Sequence, residues 1–245
     1  MTNSSLQSVN VSGSAHLGGG KYAEIRCAGS AHISADLEAN RIHCSGSLHS
    51  QGALRGDDVH VSGSAAIGSG LNVGQARISG SLKVDGDLVV RQAASVSGSA
   101  KISGKLSGET FRCSGSLQVD QEVALESLSV SGAIQCPGMV TAESIRLTAG
   151  GWTSHVGELA GSSIVVEDPW GRGGTVWHRV WGERLGRVLV SEVSGDQVQL
   201  IQTTAKLVRG DDITIGRGCR VDRVEYRKTL SVDPDAWVGE SSRVL

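Results

Sequence analysis

Proline is nearly missing from this chain, with 3 residues in 245. That excludes a Pro-rich extended chain and a collagen-like one, although glycine stands at 34, about twice the usual share of roughly 7%. Aromatic residues make up only 3%, too few for the core of an ordinary mixed domain. The five cysteines are an odd number without paired spacing, which argues against a disulfide framework. No run of 18 apolar residues occurs, so no membrane-spanning helix is expected. A formal net charge of −2 gives no global pull toward polyanions, and no nucleic-acid partner is expected. The opening MTNSSLQSVN lacks the charged and apolar stretches of a secretory signal. A cytoplasmic location is therefore expected.

What the chain does have is a recurring phrase: an apolar residue, Ser or Ala, Gly, then Ser or Ala. It starts at Val11, Cys27, Cys44, Val61, Ile78, Val96, Cys113 and Val130. The phrase glycines run from Gly13 to Gly132 at steps of 16, 17, 17, 17, 18, 17 and 17. A fixed period of this size marks a solenoid, in which each repeat buries its apolar face against its neighbours. Each repeat contains three apolar pairs with two-residue spacing, such as Ala65/Ile67, Leu71/Val73 and Ala76/Ile78. Two-residue spacing is the strand period. Three short strands per turn of about 17 residues predict an all-β, three-sided parallel β-helix. Stacking then places Leu37, Leu54, Leu71, Leu88, Leu106, Val123 and Val140 in one internal ladder. Ile42, Val59, Ala76, Ala94, Phe111, Leu128 and Ile145 form another. The phrase glycine is expected at a corner that needs positive φ. Cys27, Cys44 and Cys113 occupy a Val/Ile position, so they read as buried thiols acting as small hydrophobes. Coil spacing would let Cys27 and Cys44 bridge, but a reducing cytosol keeps them free.

The grammar fails after Glu167 and returns by Val188. Expected segments are a polar tail over 1–8, a main β-helix over 9–167, a Trp/Arg/Gly-rich insert over 168–187 and further β-helical coils over 188–245. GDQVQL at Gly195 and GDDITI at Gly210 resemble each other at a spacing of 15, which supports the last of these.

Three sets of residues are candidate contacts. An end coil presents unpaired backbone groups and an open apolar core, an edge that proteins normally blunt. Val11, Ala15 and Leu17 fall in the N-terminal coil; Leu230, Val232, Ala236, Trp237 and Val238 fall in the C-terminal one. These are the expected contacts between subunits, weighed against a polar tail folding over each end. A basic stripe is expected along the position before each phrase: Arg26, His43, His60, Arg77, Arg112 and Arg146. A second stripe holds His16, His32, His49, Lys83 and Lys101. Like charges one coil apart repel, so the stripes read either as a docking face for an acidic partner or anionic lipid, or as a solvated face. Stacked histidines suit a metal by residue type, yet nothing closes a ligand shell and no metal is expected. Trp170, Trp177 and Trp181, with Arg179 and Arg184, suit a partner or membrane contact. The competing reading packs these Trp residues onto the solenoid.

With its Gly-punctuated repeat over Val61–Val73, Ile78–Val90 and Val96–Leu106, and with VRGDDITIGRGCRVDRVEY from Val208 to Tyr226, the chain resembles the bactofilins, a bacterial polymer-forming cytoskeletal family. The resemblance implies a right-handed β-helix and end-to-end, nucleotide-free assembly into non-polar filaments. It also implies scaffolding of cell-envelope, morphogenesis or motility partners. The implied partners are further copies of the chain or a paralogue, and envelope-associated proteins through which any membrane association would run. No cofactor is called for. The chain departs from the family in its long solenoid, its lack of Pro-rich tails and its lack of a membrane-targeting peptide.

Catalysis is not expected. Hexapeptide-repeat acyltransferases are the enzyme alternative, and Val61–Val73 reads in their grammar, but their coils would take 18 residues, not 17. His155 beside Glu158 is the least unsuitable general base. A non-polymerising adaptor docking through the Trp-rich insert is the other alternative.

Overall fold

A computed structural model describes residues 6–149, 151–168 and 186–244. Every regular element among them is a β-strand, and every strand pairing runs parallel, as stacking of successive coils requires. The chain divides into two compact units, residues 1–114 with 118–120, and residues 115–117 with 121–245. Each unit is a parallel β-solenoid.

In the first unit, long and short strands alternate. The long ones are β1 (Gln7–Val11), β3 (Gly20–Cys27), β5 (Leu37–Cys44), β7 (Leu54–Val61) and β9 (Leu71–Ile78). Between them lie β2 (Ala15–Leu17), β4 (Ala31–Ile33), β6 (Leu48–Ser50), β8 (Ala65–Ile67) and β10 (Ser81–Val84). Strand β11 (Leu88–Ile102) and the start of β12 (Leu106–Val119) follow. The three expected inward pairs per turn are present, but two of them share one strand. In β5, Leu37 and Ala39 point in, Asn40 and Arg41 both point out, and Ile42 and Cys44 point in again. The one-residue phase slip re-aims the strand without ending it.

Register follows the repeat. Leu37 pairs with Leu54, Leu54 with Leu71, and Leu71 with Leu88. Ile42, Val59, Ala76 and Ala94 stack in the same way. The 18-residue step has a structural cause: register shifts between Val90 and Ala93, where a bulge absorbs the extra residue. Arg91 lies in that bulge. Its guanidinium donates to the Gly56 carbonyl at 3.0 Å, to Asn72 Oδ1 at 3.0 Å and to the Asp57 carboxylate at 2.8 Å.

The phrase glycines are needed mainly for a reason other than the expected one. Positive φ occurs at Gly98, Gly115 and Gly132, but not at Gly29, Gly46, Gly63 or Gly80. At those four positions the coils approach too closely for a side chain. A Cβ on Gly29 would lie 2.5 Å from the Gly13 carbonyl oxygen, and one on Gly46, Gly63 or Gly80 would lie closer still to the glycine one coil back.

The second unit holds β13 (Val123–Ala149), β14 (Ser154–Glu167), β15 (Val188–Leu200), β16 (Thr203–Ile215), β17 (Arg220–Val232) and β18 (Trp237–Arg243). Strand β15 pairs directly with β14, with Ile164 beside Val198 and Gly161 beside Gly195. The step there is 34 residues, against 15 between β15 and β16 and 17 between β17 and β18. The excess matches the stretch read as an insert, so coils 188–244 stack on those before it. The two GD segments align as expected, Gly195 with Gly210 and Val198 with Ile213.

Candidate functional site

The interior ladders of the second unit lose their cover in the last coil, at the end of β17 and on β18. Leu200 and Ile215 are both 0% exposed, whereas Val232, next in that ladder, is 43% exposed. Val198 and Ile213 are buried, and Leu230 after them is half-buried. Ala205 and Val221 are buried, and Val238 after them is half-buried. Ala236 is half-buried, and Trp237 is 45% exposed with the Arg220 guanidinium 4.2 Å from its ring centroid. Among the described residues, β18 pairs with β17 alone.

In the first unit, β1 pairs with β3. Val9 and Val11 are half-buried over Ile25 and Cys27, which are fully buried. Leu17 is half-buried over the buried Ile33, while Ala15 is itself buried. Both end coils thus carry apolar side chains at ladder positions that are closed one coil further in.

The charged columns form as the spacing predicts. Asn10, Arg26, His43, His60, Arg77 and Ser95 are successive register partners. So are His16, His32, His49, Ala66, Lys83 and Lys101. The His16 and His32 rings stack at 5.1 Å between centroids, and those of His43 and His60 at 5.0 Å. Arg26 bonds Glu24 and Lys83 bonds Asp85, each at 2.9 Å, within exposed pairs of small energetic weight. Arg112 lies exposed on β12. Arg146 belongs to the second unit and pairs with Glu167. No group of three or more His, Cys, Asp or Glu among the described residues could hold a metal ion.

Trp170, Trp177, Trp181, Arg179 and Arg184 lie outside the described residues. Asp168, at the edge of that stretch, has a buried side chain whose carboxylate accepts from Arg217. Single-sequence reading offers no signal for this pair, because the partners are 49 residues apart. A second missed network was legible. Arg209 donates to Glu192 and to Glu225, each at 2.8 Å, at separations of 17 and 16 residues. Opposite charges one coil length apart are the signal. Hydrogen bonds from Arg209 hold the Glu225 carboxyl below its ordinary range, and hydrogen bonding to Lys228 does the same for Asp211.

His155 and Glu158 are both exposed on β14. Among the described residues no hydrogen bond joins them. All five cysteines are buried thiols outside any disulfide. Cys27 and Cys44 are register partners. Burial pushes the Cys113 and Cys219 thiols up to about 11.

No helix among the described residues is long and apolar enough to cross a membrane. No family model matches the chain, and no solved structure matches it. Two Bacillus subtilis proteins are similar over part of their length. Uncharacterized protein YhbF is 29% identical over 107 residues, 44% of this chain and 42% of that protein. Uncharacterized protein YhbE is 40% identical over 58 residues, 23% of this chain and 24% of that protein. The chain thus spans less than half the length of either curated relative.

Proposed function

We propose that this chain is a self-assembling scaffold of bactofilin-like kind, joined through its coil ends and not an enzyme. The observation that carries the reading is the opening of the interior ladders in the last coil, where Val232 at the end of β17 is 43% exposed after two fully buried predecessors. A further coil seated there would cover Val232, Leu230 and Val238 and extend the parallel ladder. The half-buried Val9, Val11 and Leu17 offer the equivalent surface in the first unit. Affinity at each joint comes from backbone pairing and from apolar burial worth about 25 cal/mol per Å². Assembly in this reading needs no nucleotide and no metal. Its partners are further copies or a paralogue, and envelope-associated proteins recruited along the sides.

The test is sedimentation velocity combined with negative-stain microscopy of the purified chain. The parent is expected to form end-joined oligomers or filaments. Val11→Arg and Val238→Arg each place a charge on a joint and are expected to give smaller species. Parent-like sedimentation of both variants would remove the coil-end joint. A closed trimer would favour the acyltransferase alternative.

A further inference from the structure

The coils of the first unit that carry phrase glycines Gly13 to Gly98 share one outward arrangement. Three residues before each glycine lies the column from Asn10 to Ser95, and three residues after it the column from His16 to Lys101. Of these twelve positions, nine hold Arg, Lys or His and none holds Asp or Glu. Neighbouring outward columns are balanced: Glu24, Arg41 and Asp58 alternate in sign, as do Lys21, Glu38 and Arg55. The absence of acids is therefore a property of these two columns and not of the whole surface.

Between the columns the chain bends through Ser-Gly-Ser, and the flanking serines, such as Ser62, Ser64, Ser79 and Ser81, are exposed. Ser64 and Ser81 hydroxyls share a hydrogen bond at 3.0 Å along the stack. Nothing longer than a hydroxymethyl group stands on this ridge, while Arg and Lys reach outward on both sides of it. A plane of negative charge can rest on the ridge and meet both. At about 4.8 Å per coil, six coils give a contact roughly 24 Å long.

From this geometry we propose that the two-column ridge is a peripheral docking surface for an anionic phospholipid bilayer. No large exposed apolar side chain lies in either column, so the contact is electrostatic, without insertion, and strongly screened by salt. The Arg26–Glu24 and Lys83–Asp85 pairs are exposed and weak enough for lipid phosphates to replace the carboxylates.

The experiment is co-sedimentation of the full chain with vesicles of phosphatidylglycerol and phosphatidylcholine in equal parts, and with vesicles of phosphatidylcholine alone. Binding is expected to the mixed vesicles only, and to disappear at about 0.5 M salt. R77E/K83E is expected to lower affinity roughly tenfold or more, and R77Q/K83Q by less. K206E/R223E makes the same change in net charge on the second unit and is expected to bind like the parent. Melting curves matching the parent establish that the variants are folded. Equal binding to neutral vesicles, or undiminished binding by R77E/K83E, overturns the proposal. So does an equal loss in K206E/R223E. Capture of soluble polyphosphate without vesicle binding would replace the bilayer by a linear polyanion.

Discussion

Changing Gly63 to Ala tests what the repeated glycine is for. Its Cβ would meet the carbonyl oxygen of Gly46 at less than contact distance and the carbonyl carbon at 2.9 Å. Both are backbone atoms, so no side chain can swing aside. Gly46 cannot retreat freely either, because the column is closely spaced throughout: a Cβ built on Gly46 or on Gly29 would likewise clash with the carbonyl of the glycine one coil back. Overpacking of this kind costs about 1–3 kcal/mol. In a chain of this size each kcal/mol moves Tm by roughly 2–4 °C, so a loss of about 2–12 °C is expected. Gly13 is the control. It has nothing within 4 Å of its Cβ position and no positive φ. Gly13→Ala should be neutral or should stabilise by about 0.4–1 kcal/mol through the unfolded chain. Paired thermal scans followed by circular dichroism read both variants. If Gly63→Ala melts at or above the parent, or if the two variants shift alike, close approach between coils is not what selects glycine.

The carboxyls of Asp211 and Glu225 are held below their ordinary range by Lys228 and Arg209, so the unfolded chain binds protons that the folded chain does not. Their stabilising contribution is complete above the ordinary carboxylate range of about 4 and is lost as pH falls through their folded values. An acid titration should show hydrogen-exchange protection failing in β16 and β17 earlier in Arg209→Ala than in the parent; identical titrations would contradict this. The Cys113 and Cys219 thiols, raised to about 11 by burial, are expected to react very slowly with a thiol-specific disulfide reagent at pH 8 and promptly after denaturation. Fast labelling of the native chain would show that these coils open.

Much of the fold is legible in the sequence because a solenoid repeats one local problem. Leu71 stacks on Leu88 because the apolar pairs recur at coil length, and the same arithmetic places His43 on His60. Where the interval changes, the sequence marks the place without naming the device: the 18-residue step becomes the Arg91 bulge. The candidate end coils were legible from strand-edge logic, but how far Val232 and Trp237 stand open was not. Exposure depends on what lies above a residue, and period says only what lies beside it. The ridge between the cationic columns was half legible. The charges could be counted, whereas the absence of acids within their two columns required register.

By itself, then, the sequence determined the parallel coil, its length of about 17 residues and the inward or outward sense of most side chains, because each follows from a two-residue alternation inside a fixed period. Only the tertiary structure decided that Gly29 to Gly80 serve close approach and not a turned backbone, that Asp168 is buried against Arg217, and that β15 stacks on β14 across a 34-residue step. Each of these depends on the distance between atoms far apart along the chain, and periodicity carries no information about such distances.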